Sequence, residues 1–177
     1  MKRLITLALF CPLISFGQSF DISYLEGYRT TKGTEIKNRF SDEILVGYHV
    51  TKHFEVSAFD ELTLWGRDVN TIGAAADVLT KFFYAGVSVK AAKPGNLYYT
   101  KPVEVIKYET APGCDVHAGS KQKIWKNLSA IEQAAYSIME IRAHAYSPDH
   151  GDLYNGTQAV SGCLKYCSVH VGLSYGL

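Results

Sequence analysis

The residues best suited to chemistry in this chain of 177 residues gather near its end. Tyr146-Ser147-Pro148-Asp149-His150-Gly151-Asp152 places a hydroxyl, two carboxylates and an imidazole in one stretch, with His144 just before it. A hydrolase needs nucleophile, base and orienting acid to converge in space, and neighbours along one loop seldom do so. Pro, Asp and Gly in this order build a solvated turn, so no catalytic residue is assigned. Three more histidines, His49, His117 and His170, lie on separate alternating segments, each on the polar side. Such a trio offers a metal-ligand set or a proton-sensitive plug. A hydrogen-bonded polar network is the commoner use of inward histidines, and neither metal nor cofactor is expected. Lys90 and Glu26 are expected to join that network as a pair. Cys163 and Cys167 share a face of one extended strand but stand about 13 Å apart, beyond disulfide reach. A bridge from Cys114 to either requires their strands or loops to meet, and no His or acid stands at zinc-ligand spacing from the three.

The elements that must position these residues read as strands. From Val169 onward, Val169, Val171, Leu173, Tyr175 and Leu177 alternate with His170, Gly172, Ser174 and Gly176, a period of two with one oily face and one small or polar face. The same alternation runs through residues 20–29, where Phe20, Ile22 and Tyr24 oppose Asp21, Ser23 and Leu25. It continues through 43–50 (Ile44, Val46, Tyr48, Val50 against Leu45, Gly47, His49), 54–65 and 81–90. In the last of these Phe83, Ala85, Val87 and Val89 oppose Tyr84, Gly86, Ser88 and Lys90. The tight turn at 51–53 makes its flanking strands antiparallel neighbours.

Three segments strain the pattern. Residues 66–79 are ambiguous: 66–70 read as a turn or loop, and the Ala-rich stretch 71–79 is open to one or two helical turns. Residues 97–108 are expected as a strand, although either alternation sends Lys101 or Glu104 outward and Pro102 removes a ladder hydrogen bond. Residues 129–145 carry a helical signature, a capping box of Ser129 and Glu132 with Ile131, Ala134, Ala135, Ile138 and Ile141 on one face. An even strand count requires a strand there instead, and a strand is the expectation. With 114–125 the count is eight. Short turns at 51–53, 93–95 and 126–128 then alternate with longer connections at 30–41, 66–79, 108–113 and 146–160.

Met1-Lys2-Arg3, the apolar run from Leu4 to Phe16, and small residues at Ser15 and Gly17 have the layout of a secretory signal peptide. Residues 1–17 are expected to be removed, leaving residues 18–177 as one domain. The net charge of +1 argues against nucleic acid as a partner. No other stretch is long and apolar enough for a spanning helix. Tyrosine contributes 12 residues, which a membrane barrel would place in interfacial girdles.

The chain's ending resembles the closing strand of bacterial outer-membrane β-barrels, whose insertion signal is a polar residue, Gly, an aromatic and a terminal apolar residue. His170, Gly172, Tyr175 and Leu177 fall on these places, Leu177 standing where Phe is commoner. Gly47-Tyr48, the Thr51-Lys52 turn and the strand after it resemble the Bacteroidetes-type outer-membrane β-barrel proteins. The resemblance implies an all-β, eight-stranded, up-and-down antiparallel transmembrane β-barrel in the cell outer membrane. It implies no enzymatic activity, a lumen plugged by side chains and a structural or surface-interaction role through extracellular loops. The implied partners are outer-membrane lipid and the barrel assembly machinery, which would read the C-terminal strand. Two alternatives stand beside it: a soluble periplasmic or secreted lipocalin-like ligand binder, and a lipid-modifying barrel enzyme using residues 144–152 at its outer rim. A membrane barrel keeps its oil outside and a lipocalin inside. Gly47, Gly86, Gly119 and Gly172, all opposite the oil, favour the membrane arrangement. Signal removal after Gly17 is expected to leave Gln18 as the first residue, which the intact mass of the exported protein checks.

Overall fold

The computed structural model describes residues 19–31, 39–64, 69–94, 97–100, 103–146 and 158–177. The expected signal peptide therefore lies outside the described residues. Ten strands follow in order: β1 (Phe20–Thr31), β2 (Arg39–Thr51), β3 (Phe54–Leu64), β4 (Val69–Leu79), β5 (Phe83–Pro94), β6 (Leu97–Thr100), β7 (Val103–Tyr108), β8 (Ala111–Trp125), β9 (Leu128–Tyr146) and β10 (Gln158–Gly176). Eight of them close a ring, β1-β2-β3-β4-β5-β8-β9-β10 and back to β1, antiparallel at every joint. The seam runs from Asp21 opposite Gly176 to Thr31 opposite Tyr166. The fold is a closed, all-antiparallel eight-stranded β-barrel.

Eight is the expected number, with two members exchanged. The Ala-rich segment is strand β4, paired on both edges, rather than helical turns. Alanine on both faces hid its alternation, which survives in Thr71, Ala75 and Asp77 inward against Ile72 and Val78 outward. Residues 97–108 are not a wall strand. Strands β6 and β7 form a hairpin that attaches to the far end of β9, from Val105 opposite Tyr146 to Tyr108 opposite Ala143. The difficulty of placing a charge and a proline in the wall thereby disappears; Lys101 and Pro102 lie outside the described residues. Residues 129–145 are strand, because β8 and β10 saturate both edges of β9. The short connections are 52–53, 80–82 and 126–127, on the rim that also holds both ends of the ring. The connections at 32–38, 65–68, 95–110 and 147–157 belong to the other rim. Two expected connections are corrected, since β4 reduces 66–79 to 65–68 and Lys93 and Pro94 belong to β5 at the long-loop rim instead of forming a short turn.

The two faces of the wall are chemically opposite. Val89 is 67% exposed on the outside, whereas Lys90 beside it is 8% exposed on the inside. Ile22, Ile44, Ile72, Val87, Val116, Val169, Val171 and Leu173 continue the outer apolar belt. Aromatic side chains mark the short-turn rim, with Phe20 against Tyr48 at 5.1 Å between ring centroids and Phe54, Phe83, Trp125 and Tyr175 exposed around it. The inside holds Asp21, Glu43, Glu61, Asp77, Lys90, His117, His170 and a set of buried serines and threonines. This excludes the lipocalin arrangement. Glu26 is not in the lumen: it shares the outer face with Tyr24, whose hydroxyl donates to Asp42 at 3.2 Å and to Glu26 at 3.4 Å. Cys114, Cys163 and Cys167 are free and exposed on β8 and β10, with β9 between those strands.

The inner face is fitted by pairing a glycine with a large side chain across the ladder. Gly27 lies opposite His170, Gly73 opposite Phe59, Gly86 opposite Asp77 and Gly119 opposite Tyr84. In each case a Cβ on the glycine would collide with the partner's side chain. Toward the long-loop rim, Ala92, Ala111, Met139 and Tyr166 form an apolar cluster, joined by Val69 and Leu164. Gly119→Val, which drives a branched side chain into the Tyr84 ring, is expected to cost about 1–3 kcal/mol in urea unfolding from detergent. Ala118→Val next to it, exposed on the outer face, is expected to change stability by less than about 0.5 kcal/mol.

Candidate functional site: the charged lumen

Alternation delivers every second residue of eight strands to one narrow interior, so side chains distant in sequence meet there. Three ionic groups result. At the short-turn rim, Asp21 of β1 lies 2.7 Å from His49 Nε2 and ion-pairs with Lys121 reaching from β8. Glu55 of β3 stands 3.4 Å from the same His49 nitrogen, in the space that Gly47 leaves open. In the second group, His117 of β8 bridges two carboxylates, Nε2 to Asp77 Oδ1 at 2.6 Å and Nδ1 to Asp115 Oδ1 at 3.0 Å. Lys90 Nζ donates to the other Asp115 oxygen and to Ser137 Oγ, both at 2.8 Å. In the third, Arg29 ion-pairs with Glu61, and His170 Nε2 lies 3.3 Å from Ser41 Oγ, 3.6 Å from Glu61 and 3.8 Å from Glu43. Tyr166 ties the second group to the third, its ring lying 4.9 Å from the Arg29 guanidinium and 5.1 Å from Lys90 Nζ.

Among the described residues, six inward carboxylates (Asp21, Glu43, Glu55, Glu61, Asp77, Asp115) face Arg29, Lys90, Lys121 and the three histidines. The cavity these groups line leaves room for the centres of water molecules over about 50 Å³, a few waters. Among the described residues the interior is lined largely by polar and charged side chains. At His170 the described residues do not take the order of a catalytic triad. Ser41 and Glu61 approach the same His170 nitrogen, while Nδ1 has no hydrogen-bond partner, so no acid orients the ring from behind.

His49, His117 and His170 all point inward as the alternation predicts, yet the barrel distributes them over three groups instead of assembling one site. Lys90 pairs with Asp115, not with Glu26. Residues 147–157 lie outside the described residues, as does the side chain of His144. Of the terminal motif, His170 is buried in the lumen and Gly172 lies opposite Leu25, where a Cβ would strike the Tyr24 carbonyl, while Tyr175 and Leu177 are exposed on the outside. Sequence reasoning passed over Arg29, Glu43, Glu61, Asp77, Asp115 and Tyr166. Their signal was parity: each stands on the polar side of its strand's alternation, except that Asp77 was hidden in the alanine run.

Removing one partner of a buried pair strands the other charge. Lys90→Met is expected to lower unfolding stability by about 3 kcal/mol, and the double variant Lys90→Met/Asp115→Leu to recover most of the loss. Urea titration of the refolded protein in lipid vesicles checks both.

No protein-family model matches the sequence, and comparison with curated proteins finds no match. Solved structures do resemble the fold. The outer membrane protein OprG from Pseudomonas aeruginosa aligns at a TM-score of 0.56 and 9% identity, over 91% of this chain and 96% of that one. Neisserial surface protein A aligns at 0.54 and 15%, over 90% and 96% of the two chains. The outer membrane protein AlkL aligns at 0.53 and 10%, over 91% and 90%. At these identities the likeness is one of fold. Closed ring, outer apolar belt and charged interior together make this chain an eight-stranded β-barrel with the fold of these outer-membrane proteins.

Proposed function

We propose that this protein is a non-enzymatic outer-membrane barrel with a sealed lumen that acts at the cell surface through its long-loop rim. The observation that carries this reading is the unequal height of the wall. Counted over the described residues, strands β9 and β10 each run 19 residues, against 11–13 for β1 to β5. Spanning the hydrocarbon takes about 9–11 residues, so β9 and β10 rise well past the bilayer. The β6–β7 hairpin adds to the raised end of β9 and widens it into a ledge beyond the barrel's other strands. A ledge of paired backbone on one side of the mouth is a surface for contact, and the filled lumen beneath it leaves no path for solutes.

The same reading takes His170, Gly172, Tyr175 and Leu177 as the segment through which the barrel assembly machinery receives the chain, and outer-membrane lipid as the partner of the apolar belt. Tyr175 and Leu177, 51% and 52% exposed at the outer edge of the closing strand, support that use. The Gly47-Tyr48 strand with its Thr51-Lys52 turn supports placing the protein among the Bacteroidetes-type small barrels.

Two measurements test the proposal on the full-length chain. In planar lipid bilayers the purified barrel is expected to give no step conductance; sustained channel openings would overturn the sealed lumen. On intact cells, antibody is expected to reach an epitope inserted between Lys101 and Pro102 but not one inserted after Lys52. The reverse pattern would put the ledge in the periplasm and end the surface role.

A further inference from the structure

Two places in the lumen bring three potential metal donors within 4.8 Å of one another: Asp21, His49 and Glu55 at the short-turn rim, and Glu43, Glu61 and His170 deeper inside. Each already holds one cation, Lys121 beside Asp21 and 4.0 Å from Glu55 in the first, and Arg29 beside Glu61 in the second, where it takes Oε2 and leaves Oε1. The second is built differently. Glu43 and Glu61 stand directly opposite each other on β2 and β3, both facing inward. They are 5% and 3% exposed. Two like charges directly opposite in a ladder repel, and burial removes the water that would screen them. Arg29 pairs with Glu61, and among the described residues no lysine pairs with either carboxylate.

We propose that Glu43, Glu61 and His170 bind a divalent first-row transition ion such as Zn²⁺. The geometry favours an ion over a direct hydrogen-bonded network. His170 Nε2 lies 3.6 Å from one Glu61 oxygen and 3.8 Å from Glu43, too far for hydrogen bonds. Donors sharing one ion at bond lengths of about 2.0–2.2 Å stand roughly 3.4 Å apart, close to what is seen. Independently, Glu61 Oε1 is buried with no hydrogen-bond partner, and it is the oxygen that faces His170. Ser41 Oγ hydrogen-bonds the same Nε2 at 3.3 Å, a contact that the ion would replace. Two carboxylates and one imidazole form a hard-to-borderline donor set of the kind that zinc and manganese accept. Gly27 makes the approach feasible: it faces His170 on one side and Ser41 on the other, and its missing side chain lets the imidazole lie across β1. The ion ties β10 to β2 and β3 over the top of β1, spanning the seam where the barrel closes. With the site buried from both rims, its role is structural.

The test uses the mature barrel refolded in detergent after chelator treatment, given Zn²⁺, desalted and assayed by elemental analysis. About one zinc per chain and a thermal midpoint raised by several degrees are expected. Glu43→Gln and His170→Gln, each folded as judged by faster migration of the unboiled protein on a gel, are expected to lower zinc occupancy at least tenfold. His49→Gln is expected to retain it. Co²⁺ d–d absorption of the wild-type barrel, with a coordinated rather than an aqueous spectrum, reads the same site without any variant. Zinc no higher in the wild type than in Glu43→Gln, or an aqueous Co²⁺ spectrum, would overturn the proposal. So would loss of zinc in His49→Gln with retention in Glu43→Gln, since that would move the ion to the rim.

Discussion

Hydrocarbon offers a peptide group nothing to bond to, and each buried backbone N–H or C=O without a partner costs several kcal/mol. A sheet that stands in such a solvent must have no edge. The pairing of β1 with β10 meets that demand, and the rest of the structure depends on it. Once the ring closes, each of its strands has a neighbour on both sides, and local preferences that would favour another conformation are overridden. The capping box of Ser129 and Glu132 is such a preference. In water it would start a helix, whereas here Ser129 is paired with Ser174 on one side and Lys123 on the other. The alanines of β4 yield for the same reason.

Closure with eight strands also fixes how much can be held inside. The interior accepts large side chains only where a glycine opposite them gives up its own space, as Gly27 does for His170 and Gly119 for Tyr84. It accepts charge only where the charges neutralise one another. Buried ion pairs contribute little net stability, because desolvation offsets most of the attraction. Their clearer effect is on register. A slip of one residue in β5 would turn Lys90 into lipid and Val89 into the lumen, so the inner pairs and the outer belt enforce the same alignment. Pairs that cross the lumen, such as Lys121 with Asp21, connect strands that are not neighbours in the sheet and stiffen the tube against flattening.

The sequence made the fold legible wherever alternation was strong and bordered by turns. Strands β1, β2, β5 and β10 could be read with the correct faces, and the inward histidines followed from parity alone. Legibility failed where one residue type served both faces. Alanine in β4 is small enough for the lumen and apolar enough for lipid, so the period vanished and Asp77 went unnoticed. It failed again at residues 97–108, where a β pattern was correctly seen but its place was not. A hairpin attached above the rim and a strand inserted in the wall have the same local chemistry, and only their pairing partners differ. At Glu26 charge and parity point opposite ways, and parity prevails: the residue shares the outer face with Tyr24.

Residue order by itself determined that the chain forms alternating strands with an oily and a polar face and that small residues lie opposite the oil. These are local properties, set by the two-residue period of an extended chain. Which acid meets which base was decided only by the tertiary structure. Lys90 could have met any of six inward carboxylates, and Glu43 and Glu61 are separated by a whole hairpin. Partner choice depends on the register and stagger of eight strands around a closed ring. That closure is a property of the whole circumference, and no single segment carries it.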